Sequence, residues 1–350
     1  MNARRAAALA IAGLTVVGAG CARWSNDVSG SAVEALRDPT TTSAAPTATA
    51  PGTTTTTAAG SVCDELDKAT TFPPLDPMPT PAQLKASATG SLRRIVDRGY
   101  LVAGVDENTL LLGYRDPLTG VLEGYEIDLL HAISTALFGR PGNIQFKTVT
   151  TAQKVDLVAA GEVDLTVSAV SITCGRRTGK QGVEFSAPYF QTTQRVMVRD
   201  SSTIRSLADL DGKWVCVTRG STSLGVIKEQ APDVKPYVVD TRTECLAALQ
   251  TGRADAIFTH ETFLWGFQVQ DRDTRILPDA LSEQLYGVAV NKSDVDLVRF
   301  VNGVIEKQRT GGGFQKAYDR QFKDCDLCAP IADKVPDAVP VPDPDFSRRA

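Results

Sequence analysis

Apolar residues between positions 125 and 137 fall at Ile127, Leu130, Ile133 and Leu137, a spacing that predicts a helix with one buried face. Just before it, Asp116-Pro117-Leu118-Thr119-Gly120 has tight-turn chemistry and predicts a hairpin joining Tyr114 to residues 121–124. Apolar runs predict strands at 99–105, 163–167, 212–217, 254–258 and 286–292, and helices are expected up to residue 160, at 244–251 and at 294–309. Gly161 and Gly252 each stand three residues before an aspartate, Asp164 and Asp255, the mark of a helix stop followed at once by a strand. Strands alternating with helices imply parallel sheets, and two such units imply two α/β lobes.

Outside these units the chain changes character. Arg4 and Arg5 precede an apolar run over residues 6–17 and then Gly18-Ala19-Gly20-Cys21, the layout of a secretory signal too short to span a bilayer. The cysteine after small residues resembles a bacterial lipobox, which makes Cys21 the expected lipidation site and first mature residue; the usual aliphatic residue three places earlier is here Gly18. The alternative is an ordinary secretory signal with Cys21 incidental. Residues 38–60 are dominated by Thr, Ala, Pro and Gly and bury too little to offset the entropy of ordering them. The expected organisation is a signal at 1–20, a lipid-anchored tether at 21–60, a lead-in at 61–90, a first lobe at 91–198, a second at 199–285, a return to the first at 286–328 and a Pro-rich tail at 329–350, irregular or loosely docked.

A formal net charge of −4 with no basic block argues against nucleic acid as a partner. Of the seven cysteines, Cys63, Cys174, Cys216, Cys245, Cys325 and Cys328 remain after Cys21, an even set that suits disulfides in an oxidising compartment. Six allow fifteen connectivities; the pairing chosen is Cys216 with Cys245, Cys63 with Cys174 and Cys325 with Cys328. The alternative for Cys325-x-x-Cys328 is a redox pair or half a zinc site, but no second such motif or nearby histidine completes it.

The stretch 161–189 carries most of the chemistry. A helix stop, a short strand, small hydroxyl residues and Arg176-Arg177 before Phe185-Ser186-Ala187-Pro188-Tyr189 place hydroxyls and a guanidinium at a strand end. A planar guanidinium takes both oxygens of a carboxylate while hydroxyls orient them. With L-V-A-G-V-D at Leu101, G-Y-E-I-D-L at Gly124, L-D-G-K-W-V-C-V-T-R-G-S-T-S at Leu210 and L-Y-G-V-A-V at Leu285, the chain resembles the bacterial extracellular solute-binding proteins of family 3. Within it, the lipobox, tether and extra cysteines look like the glutamate- or glutamine-binding lipoproteins of actinobacteria. The resemblance implies a monomeric, two-lobed periplasmic-binding-protein fold with a two-strand hinge near 195–200 and 284–289. It also implies a free amino acid as ligand, an ABC permease as partner and no cofactor.

The family pattern puts Arg176 on the ligand α-carboxylate, with Ser171 and the backbone at Ala169 beside it. Thr222, within Ser221-Thr222-Ser223, opens a helix whose exposed N–H groups suit the same carboxylate. Asp106, ending the first strand, stands where the family contacts the amine or the ligand side chain. The family's second-lobe aspartate is replaced by His260; a neutral imidazole is a poor substitute, so Glu261 is expected to take the ammonium while His260 lines the cleft. Arg219, with Arg195 and Arg115 as further candidates, tilts selectivity toward glutamate or aspartate over glutamine or asparagine. Tyr125 and Tyr189 are expected to pack rather than stack on ligand.

Only His131 and His260 are histidines, and no nucleophile motif, phosphate loop or metal-ligand cluster is found. A dehydratase-like enzyme on the same fold would rest on His260 with Glu261 alone. A lipid-anchored sensor reporting amino acid to a membrane receptor would use the same binding chemistry as an importer.

Overall fold

The computed structural model describes residues 70–179 and 182–348. Helices α1 (Pro81–Ser87) and α2 (Gly90–Arg98) lead into strand β1 (Leu101–Val105). A small antiparallel sheet of β2 (Asn108–Thr109), β3 (Gly113–Arg115) and β4 (Leu122–Glu123) forms at the expected hairpin. Then come α3 (Tyr125–Phe138), β5 (Ile144–Thr148), α4 (Gln153–Ala159), β6 (Leu165–Thr166), α5 (Cys174–Thr178) and β7 (Val183–Phe185). The long β8 (Phe190–Arg199) enters a second sheet, followed by β9 (Trp214–Thr218), α6 (Thr222–Gln230), β10 (Lys235–Val239), α7 (Arg242–Gln250) and β11 (Ala256–His260). After α8 (Glu261–Gln270), β12 (Thr274–Ile276) and β13 (Ser282–Tyr286), the chain returns through β14 (Ala289–Asn291), α9 (Val295–Thr310) and α10 (Gly313–Tyr318).

The sheets run β5-β1-β6-β14-β7 and β10-β9-β11-β8-β12, with β13 also paired to β8. In each, a first strand lies parallel between the second and third strands of its unit, β5-β1-β6 in one lobe and β10-β9-β11 in the other. An antiparallel strand then follows, β14 beside β6 and β8 beside β11. This is the two-lobed α/β architecture that the alternating pattern implied.

The helix α3 buries the stripe read from its spacing: Ile127, Leu130, Ile133 and Leu137 are each at most 1% exposed. Helix α7 starts two residues before the expected 244, because Thr241 and Glu244 form a capping box: the Glu244 carboxylate accepts from the Thr241 N–H at 3.2 Å and hydroxyl at 2.7 Å. The predicted strand at 286–292 is divided. Tyr286 ends β13 in the second sheet, and the chain changes sheets through Gly287 and Val288 before β14.

The other crossing runs through residues 186–189, between β7 and β8, upstream of the expected 195–200. All ladder pairs of β8 are with second-sheet strands, whereas the expected limits put residues up to 198 with the first lobe. Asn302 on α9 holds this crossing: its carbonyl accepts the Ala187 N–H at 2.7 Å, and its amide donates to the Phe72 carbonyl at 2.6 Å.

The tail is irregular, as its prolines require, but it is seated on the body. Ile331 and Val335 enter the main core, Pro340 accepts the Gln191 N–H at 2.6 Å, and Asp345 accepts that of Thr71 at 2.8 Å. Arg348 lies 4.6 Å over the Phe72 ring and pairs with Glu184. The structure joins Cys216 to Cys245 and Cys325 to Cys328. Cys174 is also disulfide-bonded; Cys63, its expected partner, lies outside the described residues, as do Cys21, the signal and the tether. Among the described residues no helix is long and apolar enough to cross a membrane.

Candidate functional site

The strand-to-helix ends of both lobes meet at one charged cavity, lined by Lys154, Ser171, Arg176, Thr222, Arg242 and His260, among others. The first lobe brings Lys154 on the first turn of α4 and the loop from β6 to α5; the second brings the starts of α6 and α7 and the junction of β11 with α8. The lobes touch closely here. A Cβ on Gly220, whose φ is +73°, would lie 2.8 Å from the Ala152 Cα, so a side chain at this position obstructs the approach.

Arg176 donates to the Ser171 carbonyl at 2.8 Å and, across the cleft, to the Gly220 carbonyl at 3.4 Å. Lys154, 3% exposed, donates to the carbonyls of Ser168 at 3.2 Å and Ala169 at 3.0 Å. Among the described residues neither cation has a carboxylate ion-pair partner. Arg242 does: its guanidinium pairs with Asp106, also donates to the Thr109 hydroxyl at 3.2 Å, and lies 4.2 Å over the Phe263 ring.

Burial and mutual repulsion shape the protonation of the site. Burial, then the charges of Arg176 and Arg242, push Lys154 well below its ordinary value, partly offset by Glu126 and Asp106. Burial and Arg242 bring Arg176 down to about 10. His260 is driven well below its usual range by burial and then by Lys154, Arg242 and Arg176, so its imidazole is neutral at physiological pH. The ring meets the Tyr286 hydroxyl through Nδ1 at 2.6 Å and the Thr222 hydroxyl through Nε2 at 3.2 Å. Beneath the Ala169 loop, Glu126 accepts the Ala169 N–H at 2.6 Å and the Tyr189 hydroxyl. Burial raises this carboxyl, and those two donors oppose the rise.

Of the residues singled out from sequence, Ala169, Ser171, Arg176, Thr222 and His260 line the cavity. Asp106 lines an adjoining one, where Arg242 and the Asn108 N–H, at 2.8 Å, occupy its carboxylate. Four do not reach the charged cavity. Glu261 is held at the start of α8 by Arg195 at 2.9 Å and the Thr193 hydroxyl at 3.0 Å, so it and Arg195 neutralise each other. Arg219 pairs with Asp240 at 2.8 Å on the surface, 61% exposed. Arg115 pairs with Glu107 at 2.7 Å at the hairpin. Glu261, expected to take the ammonium, and Arg219, Arg195 and Arg115, expected to read the ligand side chain, are thus each paired with a protein group and do not line the charged cavity. Tyr125 and Tyr189 are fully buried and pack.

Two cavity cations were missed. Lys154 stands four residues before Val158, which is 0% exposed; a lysine on the apolar face of a short helix is the signal that could have found it. Arg242 is the first residue of α7, where the helix dipole disfavours a cation; with the helix expected from residue 244 it falls outside the element, and the apolar pattern gives no signal for it.

The charged cavity itself measures about 10 Å³, room for roughly one water. A wider opening of about 400 Å³ adjoins it, sharing Thr151 and Arg176. As it stands, the charged cavity has no room for a solute larger than water. Both crossings between the sheets are short, and short crossings between packed lobes are where hinge motion concentrates.

Known proteins share this layout. The chain is 30% identical over 241 residues to the ABC transporter glutamine-binding protein GlnH of Bacillus subtilis, spanning 69% of this chain and 87% of that protein. It is 28% identical over 233 residues to the glutamate-binding protein GluB of Corynebacterium efficiens, spanning 63% and 78%. Among solved structures, the cysteine-binding protein from Campylobacter jejuni superposes with a TM-score of 0.66 at 29% identity, covering 72% of this chain and 99% of that one. Residues 101–324, from β1 through the return helices, match the family model as well, and the chain belongs to the bacterial extracellular solute-binding proteins, family 3.

Proposed function

We propose that the protein captures a free acidic amino acid, glutamate or aspartate, by closing its lobes and presents it to an ABC permease. The carrying observation is the pair of cations without carboxylate partners, Lys154 and Arg176, on one enclosed cavity. Buried cations are costly unless paired, and a dicarboxylic amino acid offers two carboxylates. Arg176 takes the α-carboxylate, with the Thr222 hydroxyl and the N–H groups that open α6. Two N–H groups of Lys154 meet carbonyls, which leaves its third for the side-chain carboxylate. The Ala169 carbonyl accepts the ammonium, with Glu126 behind it. The ABC assignment is supported by the relatives named as ABC transporter and glutamate-binding proteins. Anchoring through lipidated Cys21 is part of the proposal and rests on the N-terminal sequence.

Calorimetry of the mature domain with glutamate, aspartate, glutamine, asparagine and arginine tests this reading. Glutamate or aspartate should bind tightest, Lys154→Met should erase most of their advantage over the amides, and Arg176→Ala should weaken every ligand by roughly 2–5 kcal/mol. Tighter binding of an amide or of arginine by the native protein would overturn the acidic assignment.

A further inference from the structure

We propose that Asp106 and Arg242, the latter at the edge of the charged cavity, form a latch between the lobes that stabilises the closed state for any ligand. Asp106 follows β1 of the first sheet, and Arg242 starts α7 against the second. Their pair is built rather than incidental. The Arg242 residue is 7% exposed and its guanidinium is fixed on three sides, by Asp106, by the Thr109 hydroxyl at 3.2 Å and by the Phe263 ring at 4.2 Å. The Asp106 side chain is 14% exposed and is oriented by the Asn108 N–H at 2.8 Å.

The other ion pairs between described residues lie within one lobe or tie the first lobe to the tail. Opening the cleft therefore has to separate Asp106 from Arg242 and rehydrate both. The same opening lifts Gly220 from Ala152. A contact made only in the closed state raises the fraction of binding-competent molecules, and apparent affinity rises in proportion for every ligand that needs closure. The latch also explains a cation in the first turn of α7, where the dipole opposes it: Asp106 compensates only when the lobes meet.

The affinity part of this inference rests on the proposed amino-acid capture; the ligand-free part does not. Arg242→Gln, Asp106→Asn and the double variant would be compared with the native protein by small-angle X-ray scattering without ligand and by calorimetry with glutamate, aspartate, glutamine and asparagine. Circular dichroism establishes that each variant is folded. The latch predicts a larger ligand-free radius of gyration in both single variants. It also predicts a loss of affinity of about tenfold to a hundredfold that is equal across the amino acids, and a double variant no weaker than the weaker single. An unchanged ligand-free radius in both single variants overturns the latch. So does a loss confined to the dicarboxylic ligands, which would make Arg242 a direct reader of the side chain, or additive losses in the double variant. If no amino acid binds the native protein, the proposed ligand class fails while the scattering comparison still decides the latch.

Discussion

Asp164 in the first lobe and Asp255 in the second hold equivalent corners. Asp164 donates its N–H to the Val102 carbonyl at 2.9 Å and accepts the Val102 N–H on its carboxylate at 2.8 Å. Asp255 does the same with Trp214, at 2.8 Å in both directions. Each follows a glycine with φ of +72°, Gly161 or Gly252, that ends the preceding helix. What surrounds the two corners differs. The first lobe has a large cluster that collects α2, α3, α9, α10, the tail residues Ile331 and Val335 and, from α8, Phe263 and Trp265, and a smaller one with Val158, Val163 and Val183; Arg98 covers Asp164 with an ion pair. The second lobe has two smaller clusters on opposite faces of its sheet, with Val196 and Val198 in one and Met197 in the other. The Cys216–Cys245 disulfide joins strand to helix within one of them. The first lobe carries its large cluster of helices and tail with the Cys325–Cys328 disulfide beside it, while in the second the Cys216–Cys245 disulfide ties a sheet strand to a covering helix.

The sharpest way to break this comparison is Asp164→Ala. It leaves Arg98 without its carboxylate and should cost about 3–5 kcal/mol in denaturant unfolding; a cost equal to that of Asp255→Ala would mean that the covering layers contribute nothing to the corner. Replacing Cys216 and Cys245 together should cost about 3–4 kcal/mol, given the sequence separation of 29. Hydrogen exchange should then show protection falling in β9–β11 before β1 and β6, and uniform loss over both sheets would contradict a staple specific to the second lobe. Asp255→Ala, at a half-buried corner, should cost only about 1–2 kcal/mol.

The smallest effect at neutral pH belongs to His260→Gln. His260 is held below its unfolded value, so the unfolded chain takes up its proton first. Stability is therefore lost as pH falls below about 6.5 and on toward the folded-state pKa. Thermal midpoints between pH 7 and pH 5 should fall less steeply in the glutamine variant than in the native protein. Parallel slopes would show that His260 is not the titrating group.

The apolar stripe of α3, the hairpin and both Gly-x-x-Asp corners were legible because each depends on residues a few positions apart. The start of α7 was misplaced because the capping box at Thr241 outranked the apolar pattern. The strand expected at 286–292 was divided because Gly287 and Val288 carry the chain between sheets, a change of partner that leaves no local signature. Within the site, the hydroxyls and Arg176 sit in one short loop and were found together. Glu261 and Arg195 pair with each other outside the charged cavity, a partnership across 66 positions that no local pattern announces; Lys154 on an apolar helix face does break a local rule, whereas Arg242 precedes the expected helix.

The chain itself therefore determines the two repeated α/β units, the glycine-stopped helices and the loop carrying Ser171 and Arg176, since propensity, capping and periodicity act over one or two turns. Which charges stay available was settled only by the fold. Asp106 and Arg242 are 136 residues apart in sequence, and their meeting consumes one cation, just as Glu261 consumes Arg195 and Asp240 consumes Arg219. Lys154 and Arg176 are left without carboxylate partners among the described residues because packing brings none of the described acids, Glu126 and Asp106 included, within ion-pair distance of them. Coulomb attraction depends on distance through space, which sequence order does not encode.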